Sequence, residues 1–490
     1  MLIANEKKES HKICSITKQI SWKEIWPILI VFTVLIGLTI EGIEYVLTAT
    51  ANVPMMDYWR YIVQFVDKIY HEGVTLVDLW IPQEGAAHRA IGMPIFYFLA
   101  NVKFFGLNTQ IEIVLGIVAL LINSFFLFFV YLKRMKWESS IAKCGFVLIA
   151  LCMFNINQWE ILTLEFSLGF MSRIFLILIG FYLFDTLQKK QGSKLLVAIS
   201  MLYMFMVACL AGSYAPGALG AIVFVVLAQI FLETSDRWKL CAQNLMVVIG
   251  FIIGIVFFFN DLGGGTGDGA GARLIDMVSD GSIFRAIFYM LGSSVLHVSS
   301  AQVTQDFSVY FDIGIVMFIL YMIAIFIFFK RKIYKMTYMP IMLMAYTACI
   351  ILIISFGRIP MYGVNYVTSS RYVCETTLGL AGICWIFLYE LQFICKYELK
   401  GSIKKTFVSV VKTIVCSLGV VFILINLKTS YDTEMGIAPY RRIYQESLIE
   451  IMVTNEQVTD EEASKFQYDT WYVNEGIDIM EEYDLGIFED

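Results

Sequence analysis

The sequence predicts an all-α integral membrane protein with about eleven transmembrane helices, and three observations lead to this fold class. The 490-residue chain is 58% hydrophobic and only 16% charged, whereas a soluble protein carries about a quarter charged residues. Apolar runs of about 20 residues, long enough to cross the roughly 30 Å hydrocarbon core as helices, recur up to residue 426. Only 8 prolines are present to interrupt such helices.

Eleven apolar runs define the predicted spans. They cover residues 26–47, 110–132, 141–158, 165–187, 194–212, 217–234, 239–260, 308–330, 336–356, 372–395 and 404–426. No small-residue cleavage site follows the first run, so we expect it to be retained as a span rather than removed as a signal peptide.

The basic residues predict the orientation of these spans. Lysine and arginine occur in the N-terminal segment 1–25 and then in every second loop, for example at Lys133, Lys189 and Arg331. Because cytoplasmic loops retain basic residues, these loops are predicted inside and the C-terminus outside, in a multi-pass cell-membrane protein. Two further apolar stretches, 92–106 and 283–298, would reverse this pattern if they crossed, so we expect re-entrant or membrane-surface helices there.

The same pattern places four loops and the C-terminal tail outside. The loops are 48–109, which is predicted to form interfacial helices, 158–166, 261–307 and 357–371. The tail, 427–490, contains 16 acidic and 4 basic residues, so its charge of −12 outweighs the −6 of the whole chain. Apolar residues at helical spacing predict two or three short helices that pack on the outer face. A loosely ordered acidic tail is the alternative.

Charge and cysteine usage exclude other classes of protein. A net charge of −6 without a long basic tract argues against nucleic-acid binding, which depends on neutralising phosphates. The 10 cysteines form no Cys-x-x-Cys motif and no cluster with histidine, so neither a disulfide scaffold nor a zinc site is expected.

An amphipathic segment follows the first predicted span and begins at Asp57. Polar residues recur every three or four positions, through Arg60, Gln64 and His71, and apolar side chains fill the opposite face. This pattern predicts a helix lying in the membrane interface. Asp57 is a candidate general base for an acceptor hydroxyl. The alternative is a water-facing carboxylate paired with Arg60 at i+3.

The same external loop continues with Glu84, His88 and Arg89, shortly before Pro94 and an apolar stretch. Arginine offers a fixed fork of donors and histidine a titratable one, so His88 and Arg89 are candidates for holding a phosphate group above a lipid chain. The alternative is an ordinary salt bridge at the start of an interfacial helix.

The second external loop contains Gln158, Trp159 and Glu160. A flat aromatic face beside amide and carboxylate groups suits a sugar ring, so these residues are candidates for binding the acceptor or the sugar. The same residue types are equally typical of a membrane interface. Arg173 is predicted inside a span, where a charged residue is usually functional or paired.

The fourth external loop carries Arg358 and, before the next span, Arg371 and Tyr372. The positive-inside rule does not explain arginine on the outside. Bidentate contacts to the phosphate of a membrane lipid do explain it, so these three residues are candidates for binding a donor phosphate. Arginines that reach lipid phosphates without specificity are the alternative.

In their order along the chain, these motifs resemble those of bacterial multispanning glycosyltransferases of the C-type (GT-C) superfamily. The matching features are the early Asp57, the His88–Arg89 pair before Pro94, the Gln-Trp-Glu stretch at 158–160, and the late loop with Arg358 and Ser370-Arg371-Tyr372. The architecture is similar to that of protein O-mannosyltransferases and lipid A aminoarabinose transferases. The sequence departs from the family pattern at Ala87, where glutamate is usual, and at Tyr58, where many relatives carry a second aspartate.

The resemblance implies transfer of a single sugar from a polyprenyl-phosphate donor to a hydroxyl of an extracytoplasmic glycan, lipid or protein, with inversion. Asp57 would be the base, Arg371, Arg358 and Tyr372 would bind the donor phosphate, and His88 and Arg89 would help. A lipid-phosphate sugar synthase and a flippase are expected partners. One or two carboxylates could support Mg²⁺ or Mn²⁺, although no ligand cluster demands a metal.

Other functions remain open at this stage. One is a polysaccharide polymerase or ligase that uses a lipid-diphosphate-linked oligosaccharide, and another is a flippase or transporter for lipid-linked sugars. A transporter is expected to show internal repeats or broken spans with polar sites at the membrane midplane, and the sequence shows no clear repeat. A non-catalytic scaffold is a further alternative.

Overall fold

The computed structural model describes residues 22–80, 92–135, 137, 139–190, 193–232, 237–260, 270–297, 307–398, 403–454, 457–467 and 470–489. Within these ranges the protein is helical and has no β-strand. His88 and Arg89 lie outside the described residues.

Eleven of the helices coincide with the predicted apolar runs. They are α1 Trp22–Ala49, α5 Thr109–Met135, α7 Phe146–Met153, α9 Ser167–Lys189, α10 Lys194–Leu210, α11 Ala215–Leu232, α12 Arg237–Phe259, α15 Ser308–Lys330, α16 Met339–Tyr362, α17 Val373–Phe393 and α18 Ile403–Thr454. The remaining helices are α2 Tyr58–Asp67, α3 Leu76–Trp80, α4 Met93–Phe105, α6 Ser140–Cys144, α8 Trp159–Leu162, α13 Ala270–Ser279, α14 Ser282–Ser293, α19 Asp460–Ala463 and α20 Trp471–Glu482.

Ten helical segments among the described residues are long and apolar enough to cross a membrane. One of them, Ser140–Leu162, combines α6, α7 and α8 with the turns between them. The protein is therefore a multispanning helical membrane protein. The other predicted span is α10, which has 17 residues. The stretches predicted as re-entrant or surface helices contain α4 and α14, with 13 and 12 residues, and each is roughly 20 Å long, shorter than the hydrocarbon core.

Glycines allow several of these helices to pack closely, as is typical of membrane bundles. Gly250 and Gly254 of α12 face α10, and a Cβ atom at Gly254 would lie 2.6 Å from the Cβ of Ala208. Gly292 of α14 and Gly314 of α15 approach each other's helix in the same way, since an added Cβ would lie 2.1 and 1.9 Å from the backbone oxygens of Tyr310 and Phe288.

The buried apolar side chains form two cores. The larger core lies inside the bundle of long helices. The smaller core lies at one end of the bundle and is built by α2, α4 and the C-terminal tail, with Trp59, Phe98, Met452, Val473 and Met480 among its buried members. We call the described part of residues 51–108 and 440–489, which surrounds this smaller core, the cap.

The cap corrects the prediction of an interfacial helix at α2. The apolar face of α2 does not point to lipid, because helix α20 of the tail covers it. Trp59, Ile62 and Phe65 of α2 are fully buried, and Gly476 of α20 is so close to α2 that an added Cβ would lie 2.6 Å from the Trp59 ring. A period of 3.6 residues identifies an apolar face but not what covers it.

The tail also begins differently from the prediction. The last span does not end at residue 426, because α18 continues without a break for 52 residues to Thr454 and passes through Gly436 and Pro439. At 1.5 Å per residue this helix is roughly 78 Å long, more than twice the thickness of a hydrocarbon core. The tail is therefore a direct helical extension of the bundle, and its described residues add two short α-helices, α19 and α20, and a short 3-10 helix at Gly486–Phe488.

The basic loops lie together at the bundle end opposite the cap. Arg134 pairs with the buried Asp185 at 2.8 Å, and the Lys189 ammonium donates to the backbone oxygen of Lys335 at 2.7 Å. Arg331 forms a two-pronged pair with Glu390 at 2.5 and 2.7 Å. The long helices α5, α9 and α15 each start at the cap end and finish at this basic end.

Candidate functional site

Asp57 lies at the cap end of the bundle, immediately before α2. Its carboxylate is half-exposed, with 52% of the side chain accessible, and lies 3.6 Å from Arg60 Nε, the i+3 pair that the sequence left open. Gln467 of the tail donates a hydrogen bond from Nε2 to Asp57 Oδ1 at 3.3 Å. Asp57 thus contacts its own helix and the C-terminal tail, while keeping much of its surface accessible.

The turn before Asp57 is held by two distant segments. Met56 adopts a left-handed backbone with φ of 52°, which is unfavourable for a residue with a side chain. The Met55 amide donates to Glu165 Oε1 at 2.8 Å, and the Met56 amide donates to the backbone oxygen of Phe466 at 2.8 Å. The loop at 165 and the tail therefore position the segment that presents Asp57.

Glu165 is itself a buried carboxyl group, with 1% of its surface accessible. Burial raises the pKa of Glu165 to about 8, and the nearby charges of Glu112 and Asp57 contribute to the increase. Glu112, at the start of α5, is also buried, and it accepts hydrogen bonds from the Tyr58 hydroxyl at 2.5 Å and from Asn101 Nδ2 at 2.8 Å. Glu112 thus contacts the first residue of α2, and Glu165 contacts the turn that precedes this helix.

Glu160 and Arg371, assigned by sequence to a sugar site and a phosphate site, form one ion pair. Glu160 Oε1 pairs with Arg371 Nη2. The second carboxylate oxygen, Oε2, accepts hydrogen bonds from the Ser369 hydroxyl at 2.9 Å and from the Arg371 amide at 3.2 Å. Ser370 completes the junction, because its hydroxyl donates to the Asn157 carbonyl at 2.5 Å and accepts from the Glu160 amide at 3.1 Å.

The same arginine reaches the Asp57 turn. Arg371 Nη2 lies 3.9 Å from the sulfur of Met56, a residue 315 positions earlier in the chain. The structure therefore brings Arg371 and the segment carrying Asp57 together at the cap end. The side chain of Arg371 is 32% accessible, whereas that of Glu160 is only 10% accessible, so the guanidinium faces the open side of the pair.

Arg358 lies in a helix rather than in the predicted loop 357–371. Helix α16 continues to Tyr362, through Gly357 and Pro360, so Arg358 occupies its last two turns. The arginine is exposed, and its guanidinium carbon lies 5.9 Å from the centre of the Tyr362 ring. The polar Gly357-Arg358 sequence suggested that the span had already ended. A polar segment that follows an apolar run can also form the last turns of the same helix, as it does here.

Tyr372, which follows Arg371 in the chain, is almost fully buried, with 3% of its surface accessible. It is close enough to interact electrostatically with Arg358, Arg371, Tyr366 and Tyr214. Its hydroxyl has no hydrogen-bond partner among the described residues. A buried hydroxyl without a partner is costly, and a bound molecule or water normally satisfies it.

Gln158 and Trp159, which are predicted to bind the acceptor or the sugar, contact other parts of the protein in the structure. Gln158 is buried and donates from Nε2 to the Met153 carbonyl at 2.8 Å, so its amide closes the end of α7. The Arg441 guanidinium covers one face of the Trp159 ring at 3.3 Å from its centre. That face of the tryptophan is therefore not open to a sugar, while its indole nitrogen lacks a partner among the described residues.

Sequence reasoning missed the cluster around Glu434. This carboxylate lies on the long helix α18, is fully buried, and accepts a two-pronged contact from Arg441 at 2.7 and 3.0 Å. Tyr45 of α1 donates to it at 2.7 Å, and His297 also contacts it. The seven-residue spacing of Glu434 and Arg441 places them on one face of a helix and could have predicted their pairing. The last helix was predicted to end at residue 426, so this spacing was not considered.

Arg173 is paired, which is one of the two interpretations that the sequence suggested for a charged residue inside a span. Its Nη2 contacts Glu375 Oε1 inside the bundle, and Tyr346 donates to the other oxygen of Glu375. The Tyr214 ring stacks on the Arg173 guanidinium at 3.7 Å. Tyr214 also interacts electrostatically with Tyr372, so the buried Arg173–Glu375 pair lies near the site formed by Glu160 and Arg371.

A largely apolar cavity of about 320 Å³ opens beside this site, between α1, α5, α7 and α18. Its wall includes Ile156 and Leu162, which flank Glu160 in the sequence, and it also includes Leu120 and Leu424. Polar groups from Glu41, Tyr45, Asn155 and Lys428 line part of it.

The described residues contain no group of three or more His, Cys, Asp or Glu side chains arranged to hold a metal ion. Comparisons with known proteins give no assignment, since the chain matches no protein-family model, no curated protein and no solved structure.

Proposed function

We propose that this protein is a membrane glycosyltransferase of the C type, which moves a single sugar from a polyprenyl-phosphate donor to a hydroxyl of an extracytoplasmic cell-surface glycan, lipid or protein. The contact between Arg371 and Met56 is the observation that carries the proposal. It brings the candidate phosphate ligand next to the segment of the candidate base, at the end of a membrane bundle.

The reaction is a direct displacement with inversion at the anomeric carbon of the sugar. The acceptor oxygen forms the new bond to this carbon while the bond from the carbon to the lipid phosphate oxygen breaks. The electron pair of the broken bond stays on the phosphate, whose charge Arg371 and Arg358 offset, and Asp57 accepts the proton of the acceptor hydroxyl. Tyr372 supplies a hydroxyl donor, and His88 and Arg89 assist at the phosphate.

The membrane arrangement follows from the same proposal. Helix α10 completes a set of eleven spans, the basic end with segment 1–25 is cytoplasmic, and the cap is extracytoplasmic in the cell membrane. The cavity near Glu160 would hold part of the polyprenyl chain, because its wall is apolar and it lies within the bundle. A lipid-phosphate sugar synthase and a flippase would supply the donor.

The alternative function is a polymerase or ligase that takes an oligosaccharide from a lipid diphosphate, or a flippase for such lipids. These functions differ from the proposed one in the donor or in the absence of a new glycosidic bond. The half-exposed carboxylate of Asp57, one residue after the Met56 that Arg371 contacts, favours transfer, because a flippase needs no general base.

The test is transfer by the full-length protein in lipid vesicles, supplied with a panel of polyprenyl-monophosphate sugars and polyprenyl-diphosphate oligosaccharides. We expect transfer from a monophosphate donor, and a loss of roughly 10²–10⁴-fold in the Asp57→Asn variant. The variant Asp478→Asn is the matched control, because Asp478 is an exposed carboxylate on helix α20 of the same cap.

In cells, surface glycans are compared between the wild type, a deletion strain and the complemented variants. The deletion and Asp57→Asn strains should lack one sugar that the wild-type and Asp478→Asn strains carry. If Asp57→Asn and Arg371→Ala proteins insert normally and the surface glycan keeps its sugar composition, the transferase proposal is wrong.

A further inference from the structure

The ion pair between Glu160 and Arg371 differs from two other arginine pairs of the protein in its geometry. It shares single-pronged geometry with the Arg173–Glu375 pair but is more open, because the Arg371 side chain is 32% accessible and that of Arg173 only 7%. Arg331 with Glu390, and Arg441 with Glu434, each use Nε together with Nη2, which is the full two-pronged geometry. Arg371 uses only Nη2 toward Glu160, and its buried Nε has no hydrogen-bond partner among the described residues. The Nε edge of the Arg371 guanidinium therefore has a hydrogen-bond donor without an acceptor.

Other unpaired polar groups occur in the same two chain segments. The Tyr372 hydroxyl, the Trp159 indole nitrogen and both polar atoms of the Asn157 side chain have no partner among the described residues. Asn157 and Tyr372 are 1% and 3% accessible. Buried polar atoms are nearly always satisfied, and here most of the unsatisfied atoms are donors. Such a set matches a ligand rich in acceptor oxygens.

Charge balance opposes binding of an anion to the site as it stands. The Glu160 carboxylate already offsets the positive charge of Arg371, so the pair has no net charge with which to hold a phosphate. An incoming phosphate and the Glu160 carboxylate would compete for one guanidinium, because two anions that share a single cation repel each other.

The local hydrogen bonds permit an exchange without unfolding. Glu160 Oε2 keeps its contacts with the Ser369 hydroxyl and the Arg371 backbone amide when the guanidinium leaves Oε1. The carboxylate therefore retains two donors, while the accessible Arg371 side chain can turn toward a ligand. A change of side-chain rotamer suffices, and the backbone at the Ser370 junction stays in place.

We infer that Glu160 occupies the place of a ligand oxyanion on Arg371, and that the phosphate group of a polyprenyl phosphate binds by displacing this carboxylate from the guanidinium, both in the donor phosphodiester and in the monoester released from it. The inference rests on the proposed function, since it specifies how the donor phosphate would enter the same site. Glu160 then acts as a counter-ion of the empty site instead of a ligand for the acceptor or sugar.

The test measures equilibrium binding of two probes to the full-length protein in nanodiscs: a polyprenyl monophosphate without sugar, and inorganic phosphate. The variant Glu160→Gln keeps an oxygen acceptor for Ser369 and the Arg371 amide but removes the competing charge. We expect it to bind the monophosphate lipid at least tenfold more tightly than the wild type. The control Glu475→Gln, an exposed glutamate on the cap, should bind as the wild type does.

The double variant Glu160→Gln/Arg371→Gln is neutral at both positions and should lose the gain, which assigns the gain to the guanidinium. A similar gain for inorganic phosphate would identify the phosphate group itself as the ligand, whereas a gain for the lipid alone would show that the chain is also needed. Both results support displacement. Unchanged or weaker binding of both probes by Glu160→Gln would overturn it.

The binding and transfer measurements together distinguish failure of this inference from failure of the proposed function. If the wild type transfers a sugar but Glu160→Gln binds phosphate no more tightly, only the displacement of Glu160 is wrong. If Glu160→Gln binds phosphate more tightly and no donor of the panel supports transfer, the oxyanion site stands and the transferase proposal fails.

Discussion

Replacing Glu165 with glutamine should make the protein progressively more stable than the wild type as pH rises from 4.5 to 8, because it removes one of the ionisations through which the wild type loses stability. Glu165 is buried, and burial raises its pKa from 4.5 to about 8. Its Oε1 accepts the Met55 amide hydrogen bond in either protonation state, and the glutamine amide oxygen can do the same. The variant therefore keeps the contact and removes the ionisation.

The sign and size follow from proton linkage. Between pH 4.5 and 8 the folded protein holds a proton on Glu165 that the unfolded chain releases, so the free energy of unfolding falls as pH rises. The decrease is about 1.4 kcal/mol per pH unit and reaches about 5 kcal/mol by pH 8, above which this contribution is constant. Below pH 4.5 both states are protonated, and the group has no effect on stability.

The assay is unfolding of the purified protein in detergent at a series of pH values from 4.5 to 9, with the difference between Glu165→Gln and wild type taken at each pH. Taking the difference cancels the contributions of titrating groups that do not interact with Glu165, so the difference reports Glu165 together with its coupling to Glu112 and Asp57. The difference should grow in favour of the variant as pH rises. The control Glu475→Gln should parallel the wild type, and parallel curves for Glu165→Gln and wild type would refute the reasoning.

Two further predictions concern the cap. Gly476→Ala places a methyl group 2.6 Å from the buried Trp59 ring and should destabilise the protein by about 1–3 kcal/mol in the same unfolding assay. Gly436→Ala is the control, because Gly436 lies on a helix with open space around it, and this variant should be neutral or stabilising by up to about 1 kcal/mol. Equal effects of Gly476→Ala and Gly436→Ala would contradict the close packing of Gly476 against Trp59. Gln467→Ala removes the hydrogen bond to Asp57 and should lower transfer by roughly threefold, with little change in donor binding; unchanged transfer would show that the tail does not position this carboxylate.

Much of the architecture could be predicted because membrane spans have a strong local signal. The apolar runs predicted helices at the right places, and the alternation of basic loops predicted which helix ends lie together. The ends of helices were predicted less well. Helix α16 continues past Gly357 and α18 passes through Pro439, although local propensity favours a break at both residues.

The candidate site could be predicted only in part. Asp57, Arg371 and Glu160 were selected because charged residues are rare at this end of the bundle, and that criterion is local. Their partners were not predictable, since the pairing of Glu160 with Arg371 depends on contacts between segments 211 residues apart. Glu112 was missed because a single carboxylate in an apolar run does not reveal its partner, and Glu434 was missed because the last span was predicted to end at residue 426.

The sequence by itself determined that this is a helical membrane protein, and it determined which few charged residues remain at the end opposite the basic loops. These properties depend on composition and on periodicity along the chain, which are physical properties of each segment alone. Tertiary structure decided that the acidic tail covers α2, that Gln467 and Phe466 hold the turn at Asp57, and that Arg371 reaches the same turn. Such contacts join distant segments, and only the packing of the whole chain can select them.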